Sequence, residues 1–209
     1  MPRKPRVDVA GALQHVVARG NGGGRIVTDD DDRLSLIAGM ARAAERADWR
    51  VHAYCLMDTH LHAVVETPAP TLGSGMRRLL GGYAYEFNQR HGRYGHLFAG
   101  PFSASFVESE AYAVEVCAYV VLNPVRAGLV QAPEDWRWSS YRATAGLVAA
   151  PAFLETRLVP AMLHADRKRS QELYRKLVRE TAGRPRPGSG RSLTPRHVCR
   201  LASRGQAEA

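Results

Sequence analysis

WRVHAYCLM (49–57) and HLHAVVE (60–66) are the two segments that decide the fold, and only two residues separate them. Both are short and rich in the β-branched and aromatic residues that suit the pleated surface of a strand. The intervening pair, Asp58 and Thr59, suits a tight connection between antiparallel neighbours. The sequence therefore predicts a β-hairpin here.

The segments on either side of this hairpin complete a known order of elements. The spacing of apolar residues predicts a strand at 12–19, a helix of about twenty residues opened by TDDDDR (28–33), a second helix at 74–91, a fourth strand at 102–108 and a third helix at about 109–122. The order β-α-β-β-α-β is the split βαβ plan of ferredoxin-like domains. We therefore predict an α+β fold: a ferredoxin-like antiparallel sheet with helices on one face, and an extra helix appended.

The C-terminal third of the chain divides into segments of different composition. Residues 129–147 suggest a loop with short helical turns, and residues 151–182 have a helical pattern. GRPRPGSGRSLTP (183–195) is too rich in Pro, Gly and Arg to pack a core, which predicts disorder. The expected divisions are a main domain at 1–147, a helical extension at 148–182 and a basic, disordered tail at 183–209.

The net charge of +9 is concentrated at one end of the chain. Residues 157–209 hold 13 Lys and Arg against 4 Asp and Glu, whereas the two signs cancel over residues 1–156. Clustered positive charge attracts polyanions by long-range steering and counterion release, so nucleic acid is the expected partner. A merely solubilising extension is the alternative, and charge alone does not choose between them.

Composition argues against several other classes of protein. The three cysteines, Cys55, Cys117 and Cys199, lack the spacing of a disulfide framework or a zinc knuckle. No apolar run reaches 18 residues, and the basic start MPRKPR leads into no apolar segment. The glycine-rich loop GNGGGR (20–25) has neither GK[ST] nor GxGxxG. We expect a cytoplasmic protein with no membrane partner and no small-molecule cofactor; monomer and dimer both stay open.

Four successive aspartates, Asp29 to Asp32, open the first predicted helix. Acidic side chains in a first turn cap amide groups and interact favourably with the helix dipole. We predict that role for them in preference to metal binding.

His60 and His62 lie two residues apart in a predicted strand, so both side chains leave the same face. Two imidazoles on one face form half of a site for a divalent metal ion. The alternative is a pair of histidines at the edge of the core, because a His-x-His pattern often arises by chance.

Tyr119 and Asn123 lie four residues apart at the end of the third predicted helix, hence on one helical face. The helix should end near Asn123, because Pro124 disfavours helical backbone at the preceding residue. Asn123 offers an amide oxygen as a third metal ligand, and Tyr119 offers a nucleophile one turn away. Taken separately, the tyrosine could be a core aromatic and the asparagine a helix terminator; their combination with the His-x-His strand favours a site.

The sequence resembles the single-tyrosine His-hydrophobe-His transposases, specifically the REP-associated tyrosine transposases. Five blocks in the family's order provide the resemblance: HVVARGN (15–21), HAYCLMDTHLHAVVET (52–67), RYGHLFAGPF (93–102), YVVLNPVRAGLV (119–130) and WRWSSYR (136–142). The resemblance implies a ferredoxin-like catalytic domain over residues 1–147 that cuts and rejoins single-stranded DNA beside hairpins, and a nucleoid-associated location.

The resemblance also implies roles for individual residues. His60 and His62 would bind a divalent metal, Mn²⁺ or Mg²⁺, with Asn123 as the third ligand. Tyr119 would be the nucleophile and would form a 5′-phosphotyrosine intermediate, leaving a free 3′-OH. Imidazole ligands suit Mn²⁺ better than Mg²⁺. The residues expected to contact DNA, each equally compatible with a solvated surface position, are Arg19, Asn21, Arg77, Arg78 and Arg126.

The chain departs from the family pattern at three positions. Thr59 stands where the family usually has asparagine, and GHLFAGPF replaces GHLxQGRF, so that Ala99 and Pro101 take the places of a polar and a basic side chain. These changes remove possible DNA contacts and leave the metal and nucleophile set intact.

Two other functions are compatible with the same residues. A non-catalytic, domesticated relative would bind nucleic acid through the sheet, although no strand here has the aromatic pair typical of RNA-recognition sheets. A metal-dependent hydrolase would use water as the nucleophile, with Tyr119 only packing. The covalent protein–DNA intermediate distinguishes both from a tyrosine transposase.

Overall fold

The computed structural model describes residues 9–183. Four antiparallel strands form one sheet in the order β2-β3-β1-β4. The strands are β1 Ala12–Arg19, β2 Arg50–Leu56, β3 His60–Thr67 and β4 Ser103–Phe106. The helices are α1 Asp30–Ala47, α2 Leu72–Arg90, α3 Glu110–Val121, α4 Asn123–Arg126, α5 Tyr141–Thr144, α6 Leu158–Leu163 and α7 Arg167–Thr181. The predicted hairpin and the predicted α+β, ferredoxin-like order are confirmed.

Helices cover both faces of the sheet. The predicted helical layer on one face consists of α1 and α2, which pack on Leu61, Ala63 and Val65 of β3. The opposite face packs Val64 against α3, and helices α6 and α7 lie behind α3 in the same apolar cluster. Because α3 lies between the sheet and these outer helices, it is buried and apolar around most of its circumference.

The segment before α6 differs from its prediction. The helical pattern assigned to 151–182 is wrong over 151–157, which forms no helix. There the Glu155 amide donates to the carbonyl of Val51 at 2.8 Å, and Leu154 bridges to the same residue. Residues 154 and 155 therefore pair with β2 at the edge of the sheet. This tertiary contact outweighs the local preference for helix.

The WRWSSY block (136–141) covers the same edge strand. The Leu56 amide donates to the carbonyl of Trp138 and the Ser140 amide donates to that of Tyr54, each at 2.9 Å. An uncovered edge strand presents unpaired amides to other chains, so these contacts close the β2 side of the sheet.

Two findings concern the expected classes of protein. Cys55 and Cys117 are buried and form no disulfide. Cys199 and the predicted disordered tail, apart from Gly183, lie outside the described residues. Over residues 9–183, no helix is both long and apolar enough to cross a lipid bilayer.

Candidate active site

The candidate metal ligands lie on the α3 face of the sheet. Leu61, Ala63 and Val65 pack toward α1 and α2, so the alternation of β3 turns His60 and His62 toward α3. Asp58, in the turn just before His60, accepts hydrogen bonds from Arg25 at 2.7 Å and Arg33 at 2.5 Å. These two arginines hold the start of β3, and with it His60, in place.

The rings of His60, His62 and Tyr119 form one cluster. The His60 and His62 centroids are 4.9 Å apart, and the His62 and Tyr119 centroids are 5.9 Å apart in an edge-to-face arrangement. His62 is almost fully buried, whereas Tyr119 is half-buried. The structure therefore brings together a histidine pair and a tyrosine that are 57 or more residues apart in sequence.

His60 is held through its Nδ1 atom, which lies 2.9 Å from the Thr59 hydroxyl oxygen. Burial lowers the pKa of His60 to about 4, and the nearby positive charge of Arg19 acts in the same direction. The ring is consequently neutral at pH 7, which is the form that can bind a cation. Thr59 thus contacts the adjacent histidine through its hydroxyl.

Asn123 lies one turn beyond Tyr119 and closes the end of α3. Its amide nitrogen donates to the carbonyls of Tyr119 at 3.0 Å and Val120 at 3.2 Å. These bonds use the nitrogen, so Oδ1 is the atom of this side chain with the chemistry of a metal ligand. The helix-terminating role and the ligand role are therefore compatible in one side chain.

Arg126 lies under the candidate nucleophile. Its guanidinium carbon is 5.0 Å from the centre of the Tyr119 ring, and one of its terminal nitrogens donates to the carbonyl of Thr181 at 3.2 Å. Burial lowers the pKa of Arg126, while the proximity of Tyr119 and Glu115 acts in the opposite direction. Arg126 thus connects the end of α7 to the tyrosine and is not the simple surface arginine considered as the alternative.

The other predicted DNA contacts divide between two places. Arg19 is exposed at the end of β1, directly opposite His60 in the strand register, and Asn21 follows in an exposed turn. Arg77 and Arg78 are exposed on α2, in the helical layer across the sheet from the histidines. The structure therefore brings Arg19 to the site, with Asn21 two residues further along the chain, but not the α2 pair.

The loop containing Ala99 runs along this same end of β1. The Ala99 amide donates to the Arg19 carbonyl, and the Asn21 amide donates to the Leu97 carbonyl, each at 2.9 Å. These are backbone contacts, so replacing a polar side chain by alanine at position 99 leaves the pairing unchanged.

His15 is the site residue that the sequence patterns did not single out. Its Nε2 lies 3.0 Å from Nδ1 of His62, and its ring centroid is 6.1 Å from that of Tyr119. Position 15 shares a strand face with Val17 and Arg19, as the period of two in a strand requires. Its nearness to His62 depends on the register between β1 and β3, which no local pattern reveals.

The residues present fit a divalent metal ion by the chemistry of their donors. Nδ1 of His60 lies beside the Thr59 hydroxyl and Nδ1 of His62 lies beside His15, so Nε2 is the candidate metal-binding atom of each ring. With the Asn123 oxygen, the set is two imidazoles and one amide, which suits Mn²⁺ and similar ions better than Mg²⁺.

A second group of possible ligands lies where the start of α1 meets the end of α2. In the described part of the chain, only Asp29, Asp32 and His91 place three histidine, cysteine or carboxylate ligand atoms within 4.8 Å of one another. Arg90 donates to Asp29 at 2.7 Å and to Asp32 at 2.5 Å. Asp29 also accepts the Asp32 amide as the N-cap of α1, as predicted. Because Arg90 already supplies positive charge, we interpret the cluster as an ion-pair network that ties α2 to the start of α1.

We expect Asp32→Ala to lower the stability of the fold by about 2–4 kcal/mol, because it removes a buried carboxylate with several charged partners. Burial alone would raise the pKa of Asp32, but hydrogen bonds from His91, the Thr28 amide and Arg90 outweigh it and lower the pKa. The stabilisation should therefore be present above pH about 4 and shrink as the pH falls below it. Denaturant unfolding at several pH values measures this effect.

Asp31→Ala is the matched control, because the Asp31 side chain is 79% exposed. That variant should change stability by no more than about 0.5 kcal/mol. Equal losses for the two variants would contradict a structural role specific to Asp32.

Comparison with known proteins gives a structural match without a sequence match. No family model matches the chain, and no curated protein matches it. Among solved structures, the chain is similar to a REP-associated tyrosine transposase bound to a REP hairpin, with a TM-score of 0.61 and 15% sequence identity. The match covers 73% of this chain and 90% of the other. At this identity the likeness establishes a shared fold.

Proposed function

We propose that the chain is a metal-dependent single-stranded DNA endonuclease and strand transferase, with Tyr119 as the nucleophile and hairpin-forming DNA as the substrate. The observation on which this rests is the cluster of His60, His62 and Tyr119 rings on one sheet face, with His62 and Tyr119 centroids 5.9 Å apart. The fold shared with a hairpin-bound tyrosine transposase supports the choice of substrate.

The proposed reaction exchanges one ester bond for another. The phenolic oxygen of Tyr119 forms a bond to the phosphorus of the scissile phosphodiester and loses its proton. The bond from phosphorus to the 3′ oxygen breaks, and that oxygen takes up a proton to become a free 3′-OH. The 5′-phosphotyrosine keeps the ester energy, so a 3′-OH can later reverse the step and rejoin the strands.

The side chains around Tyr119 have separate parts in this reaction. His60, His62 and Asn123 would hold a divalent metal, which when bound supplies positive charge to the scissile phosphate. Asn123 also donates a hydrogen bond to the Tyr119 carbonyl in the last turn of α3, which fixes the position of Tyr119 along the helix axis. Arg126, whose guanidinium lies against one face of the Tyr119 ring, limits the directions in which the phenol can turn. Arg19, opposite His60 in the strand register, would contact the DNA backbone.

The test is incubation of labelled, hairpin-bearing single-stranded DNA with the full chain and Mn²⁺, followed by a denaturing gel. We expect a labelled band that migrates with the protein and disappears on protease treatment. Cleavage without such a band would indicate a hydrolase that uses water. Binding without cleavage would indicate a non-catalytic nucleic-acid binder.

We also propose that the basic tail adds sequence-independent DNA affinity. The last described helix ends at Thr181, whose carbonyl accepts a hydrogen bond from Arg126 beside Tyr119. The tail comprises residues 183–209. Their removal deletes six arginines and one acid. Binding should weaken, and the slope of log affinity against log salt should fall by up to about 0.7 for each lost phosphate contact on single-stranded DNA. Salt titrations of both chains on the same hairpin DNA measure the slopes.

A full-length chain with the six tail arginines changed to glutamine separates charge from length. It should show the same reduced slope as the truncated chain, and both should cleave normally at saturating enzyme. Slopes equal to that of the wild type would make the tail an inert extension. A truncated chain that binds but does not cleave would place the tail in the catalytic site.

A further inference from the structure

His15 and His62 form a buried pair on neighbouring strands. His15 pairs with Val64 in the register of β1 and β3, which puts it diagonally next to His62 on the α3 face. The two rings are stacked, with centroids 5.2 Å apart and planes inclined by 17°. His15 Nε2 lies 3.0 Å from His62 Nδ1, which is hydrogen-bond distance.

This hydrogen bond has two possible directions with different consequences. A neutral imidazole has a hydrogen on one nitrogen and a lone pair on the other. If His15 donates, Nδ1 of His62 is the acceptor, and Nε2 of His62 must hold the hydrogen. If His62 donates from Nδ1, its Nε2 presents a lone pair and can bind a cation. Only the second direction is compatible with His62 as a metal ligand, and it requires His15 to hold its hydrogen on Nδ1.

We infer that His15 is a positioning residue: it accepts the Nδ1 hydrogen of His62 and thereby fixes the ring and the tautomer that present Nε2 to the divalent metal. The inference rests on the proposed function, because it assigns His62 as a ligand. Outer partners of this kind orient a ligating imidazole and make it more basic.

The burial of His15 supports a polar role for this residue. It is 9% exposed, and its strand neighbour on the same face, Val17, is apolar. A valine or leucine at position 15 would pack in such a place without the cost of burying a polar ring. The two candidate ligands also differ in their partners: the hydroxyl of the adjacent Thr59 contacts His60, whereas a residue from another strand contacts His62.

The first measurement is the tautomer of His62 in the metal-free, wild-type chain, read from long-range ¹H–¹⁵N NMR correlations of the imidazole rings. We expect both His62 and His15 to hold their hydrogens on Nδ1. This measurement requires no variant and does not depend on cleavage activity. A hydrogen on Nε2 of His62 would overturn the inference.

The second measurement is Mn²⁺ affinity, followed by the loss of the free-ion EPR signal on titration with full-length protein. His15→Leu should weaken binding by about 10–100-fold, because the acceptor is gone. His15→Gln should stay within about threefold of the wild type, because its amide oxygen can accept the same hydrogen. His62→Ala is the reference for loss of the site, and the thermal midpoint of each variant reports its folding.

The outcomes of the Mn²⁺ titration distinguish a failure of the role of His15 from a failure of the proposed metal site. Unchanged affinity in His15→Leu, with binding lost in His62→Ala, would overturn the role of His15 and leave the proposed metal site standing. Equal losses in folded His15→Leu and His15→Gln would mean that His15 does not act as an acceptor. Wild-type protein that binds no Mn²⁺ through His62 would overturn this inference and the metal dependence of the proposed function together.

Discussion

Tyr119→Phe is expected to abolish the covalent protein–DNA adduct while leaving the fold and DNA binding in place. The substitution removes only the hydroxyl; the ring still packs between His62 and Arg126. Loss of the attacking atom should reduce adduct formation by a factor on the order of 10³ or more. Quantifying the protein-linked label on a denaturing gel measures the loss, and a binding titration on the same hairpin DNA checks that affinity is retained.

Tyr112→Phe is the matched control, because Tyr112 is a second half-buried tyrosine on α3. It loses the same atom two turns earlier and should form adduct at the wild-type rate. Adduct formation by Tyr119→Phe at a rate similar to that of Tyr112→Phe would mean that another group is the nucleophile.

The double substitution His60→Ala and His62→Ala is expected to abolish metal-dependent cleavage with little effect on DNA affinity. A bound metal contributes several kcal/mol to stabilising charge at a reacting phosphate, and each 1.4 kcal/mol is a factor of ten in rate. The cleavage rate should therefore fall by a factor on the order of 10³. Affinity should stay within about threefold of the wild type, because phosphate contacts elsewhere supply most of it.

His164→Ala is the control for loss of an imidazole, because His164 lies between α6 and α7, outside the ring cluster. It should cleave like the wild type over a range of Mn²⁺ concentrations. Persistent cleavage by the double variant in the presence of a chelator would show that these histidines hold no catalytic metal.

The fold could largely be predicted from local patterns. The 49–66 hairpin has strand-forming residues on both sides of a two-residue turn. These residues form strands in the structure, where both are largely buried in the sheet. The helix opened by Asp29 was equally predictable, since its cap is a contact between neighbouring residues. The segment at 151–157 was not, because its conformation depends on the distant edge of β2.

The candidate site shows the same division. The period of two in β3 and the spacing of four in α3 indicated which residues share a face: His60 with His62, and Tyr119 with Asn123. Whether those two faces meet depends on how α3 packs on the sheet. His15 begins the HVVARGN block, but its position beside His62 depends on strand register, which that block does not reveal.

The sequence by itself determined the order of the elements, the sidedness of the histidines and the concentration of charge in the last quarter of the chain, because these follow from periodicity and composition. The tertiary structure alone decided which side chains touch. It brought His15 into contact with His62 and Arg126 into contact with the Tyr119 ring. It also placed Arg77 and Arg78 in the helical layer on the opposite face of the sheet. The physical reason is that such contacts join residues far apart in sequence, and their positions are set by the burial of a whole core and not by any local pattern.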